Sequence, residues 1–152
     1  MRHTEYPQYA EAVAALEPVL DVRDGKVIAI GGWPLAGKTT LGRYLAWQFN
    51  VSLIETDLFI IPNQGGIVHR EDEIARVIEH RIGGAYPNPV IIEGATVLKL
   101  LARLKVKPDF TIYLERPTDH DAHNLSAELT AYHGEFRPRE AADFVLELPE
   151  ED

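Results

Sequence analysis

The stretch KVIAIGGWPLAGKTT, from Lys26 to Thr40, contains the motif that decides the fold. An apolar run rich in β-branched residues enters a pair of glycines, and the segment from Gly32 to Thr39 fits the pattern G-x-x-x-x-G-K-[ST]. A helical pattern of apolar residues follows at once, which supplies the strand–loop–helix context of a phosphate-binding loop. The sequence therefore predicts a P-loop of the Walker A type.

The residue types of this loop suit a polyanionic ligand. Backbone N–H groups in a wrapped loop and the positive end of the following helix attract anions, and the two glycines allow backbone angles that a Cβ would block. The lysine supplies charge to the β- and γ-phosphates, and the threonine hydroxyl that follows it is placed to bind Mg²⁺. We therefore expect the whole loop to bind the nucleotide: Gly32, Trp33, Pro34, Leu35, Ala36, Gly37, Lys38, Thr39 and Thr40.

The composition indicates one acidic globular domain. The chain has 152 residues and a formal net charge of −9, which argues against nucleic acid or an anionic membrane as the main partner. It has no cysteine, which excludes disulfides, a thiolate nucleophile and cysteine-bound metal. No signal peptide or long apolar run is visible, so we expect a cytoplasmic protein, with no oligomeric state indicated. We assign residues 1–152 to one domain, with an amphipathic helix within 1–24 and an acidic tail at 149–152.

Strand-like and helical segments alternate along the chain. The strand-like runs are residues 27–30, 51–56, 90–94, 109–115 and 143–148. Helical patterns of apolar residues lie at 5–20, 41–49, 74–82, 97–104 and 122–132, whereas 60–68 and 136–140 are predicted as loops. This alternation predicts an α/β protein with the three-layer α/β/α P-loop NTPase fold and a mostly parallel five-stranded sheet.

Two carboxylates follow predicted strands, at the edge where open α/β sheets bind ligands. Asp57 is a candidate base that accepts the proton of an acceptor hydroxyl, and the alternative is a capping or turn residue. Glu93 ends a buried strand, as in a Walker-B-type strand, and the alternative is a structural acid. Because Mg²⁺ keeps several waters and takes few carboxylates, Thr39 and Glu93 are the candidate metal-side residues.

Arginines near the last two strands are candidate clamps for a phosphoryl group. Arg137 and Arg139 precede the last strand and Arg116 follows the fourth, although each could be a surface residue. With Lys38 and Asp57, Arg139 completes the predicted catalytic set.

Histidines and tryptophans favour structural interpretations. His120 and His123 have i, i+3 spacing, but two ligands without a third are better explained as a solvated helix face. Trp33 and Trp47 are interpreted as packing residues, with cover of the phosphates as an alternative for Trp33.

Four segments together resemble the uridine kinase-like family of P-loop kinases. They are GGWPLAGKTTL at 31–41, TDLF at 56–59, VIIEG at 90–94 and ADFVLEL at 142–148. The resemblance implies an enzyme that uses ATP and Mg²⁺, with phosphate binding in the P-loop, Asp57 orienting the acceptor hydroxyl and Glu93 on the metal side. It covers about residues 26–148, and the P-loop is its most specific part.

The residues and the resemblance leave two main functions open. The first is transfer of the γ-phosphoryl group of Mg·ATP to a hydroxyl of a small molecule, with nucleosides among the candidates. The second is a nucleotide-binding regulatory or partner module with little turnover, because residues 117–136 contain no arginine or lysine. A GTPase or motor-type ATPase is disfavoured, since the chain has no N-K-x-D motif.

Overall fold

A parallel sheet with the P-loop strand at its centre organises the fold. The structure is a computed structural model that describes residues 6–117 and 126–149. Its five strands run in the spatial order β2-β3-β1-β4-β5, and every pairing is parallel. Their bounds are β1 Val27–Gly31, β2 Ser52–Glu55, β3 Val90–Glu93, β4 Phe110–Glu115 and β5 Phe144–Glu147. The predicted α/β class and five-stranded sheet are confirmed.

Helices cover both faces of the sheet. They are α1 Ala10–Leu16, α2 Lys38–Phe49, α3 Glu71–Ile82, α4 Val97–Leu104, α5 Ser126–Phe136 and α6 Pro138–Ala141. Because successive strand residues point to opposite faces, Ile28 and Ile30 of β1 pack with α1 and α2, whereas Val27 and Ala29 pack with α3 and α4. The result is the predicted three-layer α/β/α arrangement.

Some predicted boundaries differ from the structure. Residues 136–140, predicted as a loop, contain α6, because Arg137 takes a left-handed conformation with φ 47° and Pro138 then starts a new helix. The N-terminal pattern at 5–20 gives a 3-10 turn at Pro7–Tyr9 and then α1, which ends at Leu16 shortly before Pro18. The predicted helix at 122–132 is seen as α5, and residues 118–125, like the acidic residues 150–152, lie outside the described residues.

The predicted loop at 60–68 folds back on itself. Ile60 and His69 form an antiparallel bridge, and the amide of Ile61 donates to the carbonyl of Val68 at 2.7 Å. We call this segment, residues 60–69, the hairpin loop. It begins directly after a 3-10 turn at Thr56–Phe59 that carries Asp57 away from the end of β2.

None of the helices within residues 6–117 and 126–149 combines the length and the apolar character that a bilayer span requires.

Candidate active site

The two P-loop glycines occupy positions that demand glycine. Gly32 has φ +152°, and a Cβ there would lie 2.5 Å from the carbonyl oxygen of Leu114 on β4. Gly37 has φ +99° at the start of α2, in the left-handed region that residues with a Cβ avoid. The loop therefore turns tightly from β1 into α2, with its backbone packed against the neighbouring strand.

Lys38 is held inside the loop that precedes it. Its side chain is only 9% exposed, and Nζ donates to the carbonyl oxygen of Trp33 at 2.9 Å. The Trp33 ring is buried and stacks on His133 of α5, with ring centroids 4.3 Å apart and planes inclined by 11°. The predicted packing role of Trp33 is therefore confirmed, and its backbone carbonyl accepts the hydrogen bond from Lys38. The packing interpretation of Trp47 is wrong, because its side chain is 65% exposed on α2.

Glu93 lies beside the P-loop at the end of β3. It is in register with Ile30 of β1, is 1% exposed, and its Oε1 accepts a hydrogen bond from the Thr39 hydroxyl at 3.1 Å. Burial raises the pKa of the Glu93 carboxyl, while the charge of Lys38 and the Thr39 hydrogen bond oppose the rise. The sequence-predicted metal-side pair is therefore in direct contact.

A cavity of about 420 Å³ joins the P-loop to both candidate carboxylates. Asp57 is exposed to it from the 3-10 turn after β2, and its carboxylate makes no hydrogen bond or ion pair with residues 6–117 and 126–149. Gly32, Trp33 and Ala36 do not reach the wall. The wall is formed by Pro34, Leu35, Gly37, Lys38, Thr39, Thr40, Asp57, Ile60, Ile67, Glu93, Ala95 and Leu129.

The candidate arginines differ in their contacts with the P-loop. The Arg116 Nε donates to the carbonyl of Ala36 in the P-loop at 2.9 Å, and a Cβ on Gly37 would lie 3.5 Å from its Nη2. Neither Arg116 nor Arg139 lines the cavity, and Arg139 pairs with Glu115 at 3.0 Å and with Glu147 at 3.2 Å. The arginine that the structure brings to the P-loop is therefore Arg116, and the signal in the sequence is its place directly after a strand.

Helix α5 adds residues that sequence reasoning missed. Leu129 contributes to the cavity wall, and both carboxylate oxygens of Glu128 accept from the amide of Ile67, at 3.1 and 3.2 Å. With the His133 stack, these contacts join α5 to the P-loop and to the hairpin loop. The apolar spacing of Leu129 and Tyr132 marks the inward face of this helix in the sequence, whereas no local pattern indicates the contact of Glu128 with Ile67. His120 and His123 lie outside the described residues.

Several solved structures that resemble this chain are described as kinases. A possible uridine kinase from Bacillus stearothermophilus has a TM-score of 0.66 to this chain at 16% identity, over 90% of this chain and 97% of that one. The chain has the P-loop kinase fold. No protein family and no curated protein matches it by sequence.

Two further P-loop kinase structures show how widely the fold is shared. A proposed fructose transport system kinase from a Silicibacter species has a TM-score of 0.56 at 18% identity, over 90% of this chain and 97% of that one. Shikimate kinase from Acinetobacter baumannii, in complex with shikimate, has a TM-score of 0.50 at 19% identity, over 91% and 89% of the two chains. Structural similarity establishes the fold of the chain, but sequence identities this low do not indicate its substrate.

A metal ion in this cavity would need further ligands from a bound nucleotide. Within residues 6–117 and 126–149 no three histidine or acidic side chains are grouped to hold a metal by themselves. The Thr39 hydroxyl and the Glu93 carboxylate nevertheless form a buried pair of oxygen donors beside the P-loop. Hard oxygen donors, few in number and next to a phosphate site, fit Mg²⁺.

Proposed function

We propose that this protein is an ATP-dependent phosphotransferase that transfers the γ-phosphoryl group of Mg·ATP to a hydroxyl of a small molecule. The observation that carries the proposal is that one cavity contains the P-loop side chains and two carboxylates in different environments. Lys38 and Thr39 line it from the P-loop, and the Thr39 hydroxyl donates a hydrogen bond to Glu93. The carboxylate of Asp57 is exposed and makes no hydrogen bond or ion pair with residues 6–117 and 126–149. A site that only bound nucleotide would not need this second carboxylate.

The proposed chemistry assigns one task to each side chain. The backbone of the P-loop binds the phosphates, and Lys38 exchanges the carbonyl of Trp33 for phosphate oxygens. The acceptor oxygen attacks the γ-phosphorus, the bond from this phosphorus to the β,γ-bridging oxygen breaks, and ADP carries away the electron pair. Asp57 orients the attacking hydroxyl and takes its proton. Most of the rate enhancement then comes from positioning and charge stabilisation.

The metal and arginine assignments follow from the same geometry. Mg²⁺ would be held by the Thr39 hydroxyl and, through water, by Glu93, and when bound it supplies positive charge to the phosphate oxygens. Among the arginines we assign the phosphate-side role to Arg116, which contacts the P-loop. Arg139, the arginine that the sequence favoured, is held by two carboxylates away from the cavity.

The test is ADP production from Mg·ATP with a panel of small alcohols, sugars, hydroxy acids and nucleosides. We expect one class of acceptor to raise the rate well above the background hydrolysis. Lys38→Ala should weaken ATP binding, whereas Asp57→Asn should keep ATP binding and lower transfer by about a hundredfold or more. Equal losses of binding and transfer in Asp57→Asn would contradict its assignment as the base.

A nucleotide-binding module with little turnover is the second candidate. The composition of α5 favours this candidate. The helix contributes to the cavity wall, but its residues 126–136 contain no arginine or lysine that could stabilise a transferring phosphoryl group. Tight ATP binding with a slow hydrolysis rate that no acceptor increases would support this candidate over the kinase.

A further inference from the structure

A second cavity adjoins the first at the hairpin loop. Its volume is about 270 Å³, and Ile67 lines both cavities. It lies between the hairpin loop, one face of α4, Glu71 at the start of α3 and Glu128 of α5. Asp57 lines the first cavity together with Ile60, and Ile60 is paired with His69 of the second cavity through the antiparallel bridge. A ligand in the second cavity would therefore lie close to the proposed base.

Most charges of the second cavity are already engaged within the protein. Arg103 of α4 forms a two-pronged ion pair with Glu71, and Glu128 accepts the amide of Ile67 with both oxygens. Lys99, one turn before Arg103 on the same helix, forms no ion pair within residues 6–117 and 126–149. Two side chains of the wall therefore carry a charge without an ion pair in the described residues: the exposed Lys99, and Glu128, whose two oxygens both accept from the Ile67 amide.

The other polar groups of the wall are hydrogen-bonding groups without charge. Burial lowers the pKa of His69, although the carboxylates of Asp57, Glu71 and Glu128 act to raise it, so the imidazole is neutral at pH 7. Thr96 adds a hydroxyl at the start of α4. Lys99 can pair with an anionic group of a ligand, whereas Glu128, His69 and Thr96 can hydrogen-bond its hydroxyls, so the wall suits a hydroxyl compound with a single anionic group.

We propose that this second cavity binds the body of the phosphoryl acceptor, and that the acceptor is a small hydroxyl compound with a carboxylate or phosphate group that pairs with Lys99. The inference rests on the proposed function, because it assigns the acceptor of that same site. It places the anionic group at α4 and directs the reactive hydroxyl past Ile67 toward Asp57. A volume of about 270 Å³ favours a compact metabolite, since cavities for drug-sized ligands span roughly 300–1,000 Å³.

Binding is tested first, because it does not require turnover. Calorimetric titrations of the full chain would use two sets of probes with matched skeletons: glycerate, glycerol 3-phosphate and glycerol, then gluconate, glucose 6-phosphate and glucose. We expect an anionic member of one set to bind at least about tenfold more tightly than its neutral counterpart. The comparison of carboxylate with phosphate identifies which anion the cavity selects.

Variants of Lys99 connect this selectivity to the cavity. Lys99→Met should weaken binding of the preferred anion about tenfold or more, and Lys99→Arg should retain most of it, because both cationic side chains pair with anions. Lys107→Met, which removes the same charge from an exposed position outside the cavity wall, should change nothing. Unchanged binding in Lys99→Met, equal binding of neutral probes, or no binding by any member of either set would overturn the proposal.

Transfer assays with the same probes separate this proposal from the proposed function. Lys99-dependent binding of an anion that is never phosphorylated would support the binding site and contradict the kinase activity. Phosphorylation of neutral members alone would support the kinase and overturn the anionic acceptor. ATP binding is measured separately, with Lys38→Ala as the control, so that a defect of the P-loop is not mistaken for a defect of acceptor binding.

Discussion

At the scale of single residues, the burial of Glu93 lowers the stability of the protein at neutral pH. Burial raises the pKa of its carboxyl, so the folded protein binds that proton more tightly than the unfolded chain does. Its contribution to stability is fully present below the unfolded value of about 4.5 and declines as the pH rises through the higher folded value. The protein therefore retains a costly ionised carboxylate next to the P-loop.

Glu93→Gln should stabilise the protein at neutral pH. The amide keeps an oxygen for the Thr39 hydroxyl but removes the cost of burying a charge, so we expect Tm to rise by about 2–4 °C at pH 8 for a gain of about 1 kcal/mol. The advantage should vanish near pH 4, where the wild-type carboxyl is protonated in both states. Thermal unfolding from pH 4 to pH 8 measures this, and a variant less stable than wild type at pH 8 would contradict it.

Gly94→Ala should be strongly destabilising. A Cβ there would lie 2.2 Å from Oγ1 and 3.3 Å from Cβ of Thr56, so rotation of the threonine side chain alone does not clear it. We expect a loss of about 2–4 kcal/mol in denaturant unfolding. Gly134→Ala, whose Cβ would meet nothing within 4 Å on α5, should instead stabilise by about 0.5–1 kcal/mol. Adding Thr56→Ala to Gly94→Ala should recover part of the loss, and no recovery would exclude this clash as the cause.

At the scale of elements, α5 restrains the hairpin loop through one carboxylate. Glu128 accepts the amide of Ile67, the residue that separates the two cavities. Glu128→Ala should therefore speed hydrogen exchange at the Ile67 amide by about tenfold, as expected for loss of about 1.4 kcal/mol of protection. Glu135→Ala, at an exposed position of the same helix, is the matched control. Equal exchange rates at Ile67 in both variants would show that Glu128 does not restrain the loop.

The elements also show what a sequence can and cannot reveal about this site. The P-loop was predictable because its glycines, Lys38 and Thr39 are contiguous and lie between a strand and a helix. Glu93 and Asp57 were found because parallel strands end at one edge of the sheet. The choice between Arg116 and Arg139 was not predictable, since Arg139 is held by carboxylates from two separate strands and lies in a short helix where the sequence predicted a loop.

At the scale of the whole molecule, nucleotide binding should stabilise the entire fold. A ligand that binds only the native state adds about 2.7 kcal/mol at a hundred times its Kd, which corresponds to a Tm increase of about 5–10 °C for a chain of this size. We expect Mg·ATP to produce such a rise in the wild-type protein. Lys38→Ala should lower the unliganded Tm by only a few degrees, because it removes one hydrogen bond to the Trp33 carbonyl, and should lose most of the rise, because this side chain lines the ligand cavity. A collapse of its unliganded Tm would contradict the placement of Lys38.

The order of the strands explains why the site needs the whole sheet. The P-loop strand β1 is central, Glu93 comes from its neighbour β3, and Asp57 follows β2 at the edge. The alternation of strands and helices predicts parallel pairing, whereas the order β2-β3-β1-β4-β5 depends on long-range contacts that no local pattern reports. The two carboxylates are therefore neighbours in the fold, although an entire helix separates them along the chain.

The stack of Trp33 on His133 gives the protein an optical property. An indole emits according to its surroundings, and this one lies in the P-loop against α5, whereas the second tryptophan, Trp47, is exposed on the outer side of α2. Trp47→Phe would leave a single indole, in the P-loop. Its emission would then follow the arrival and departure of ligand in real time, without any added dye.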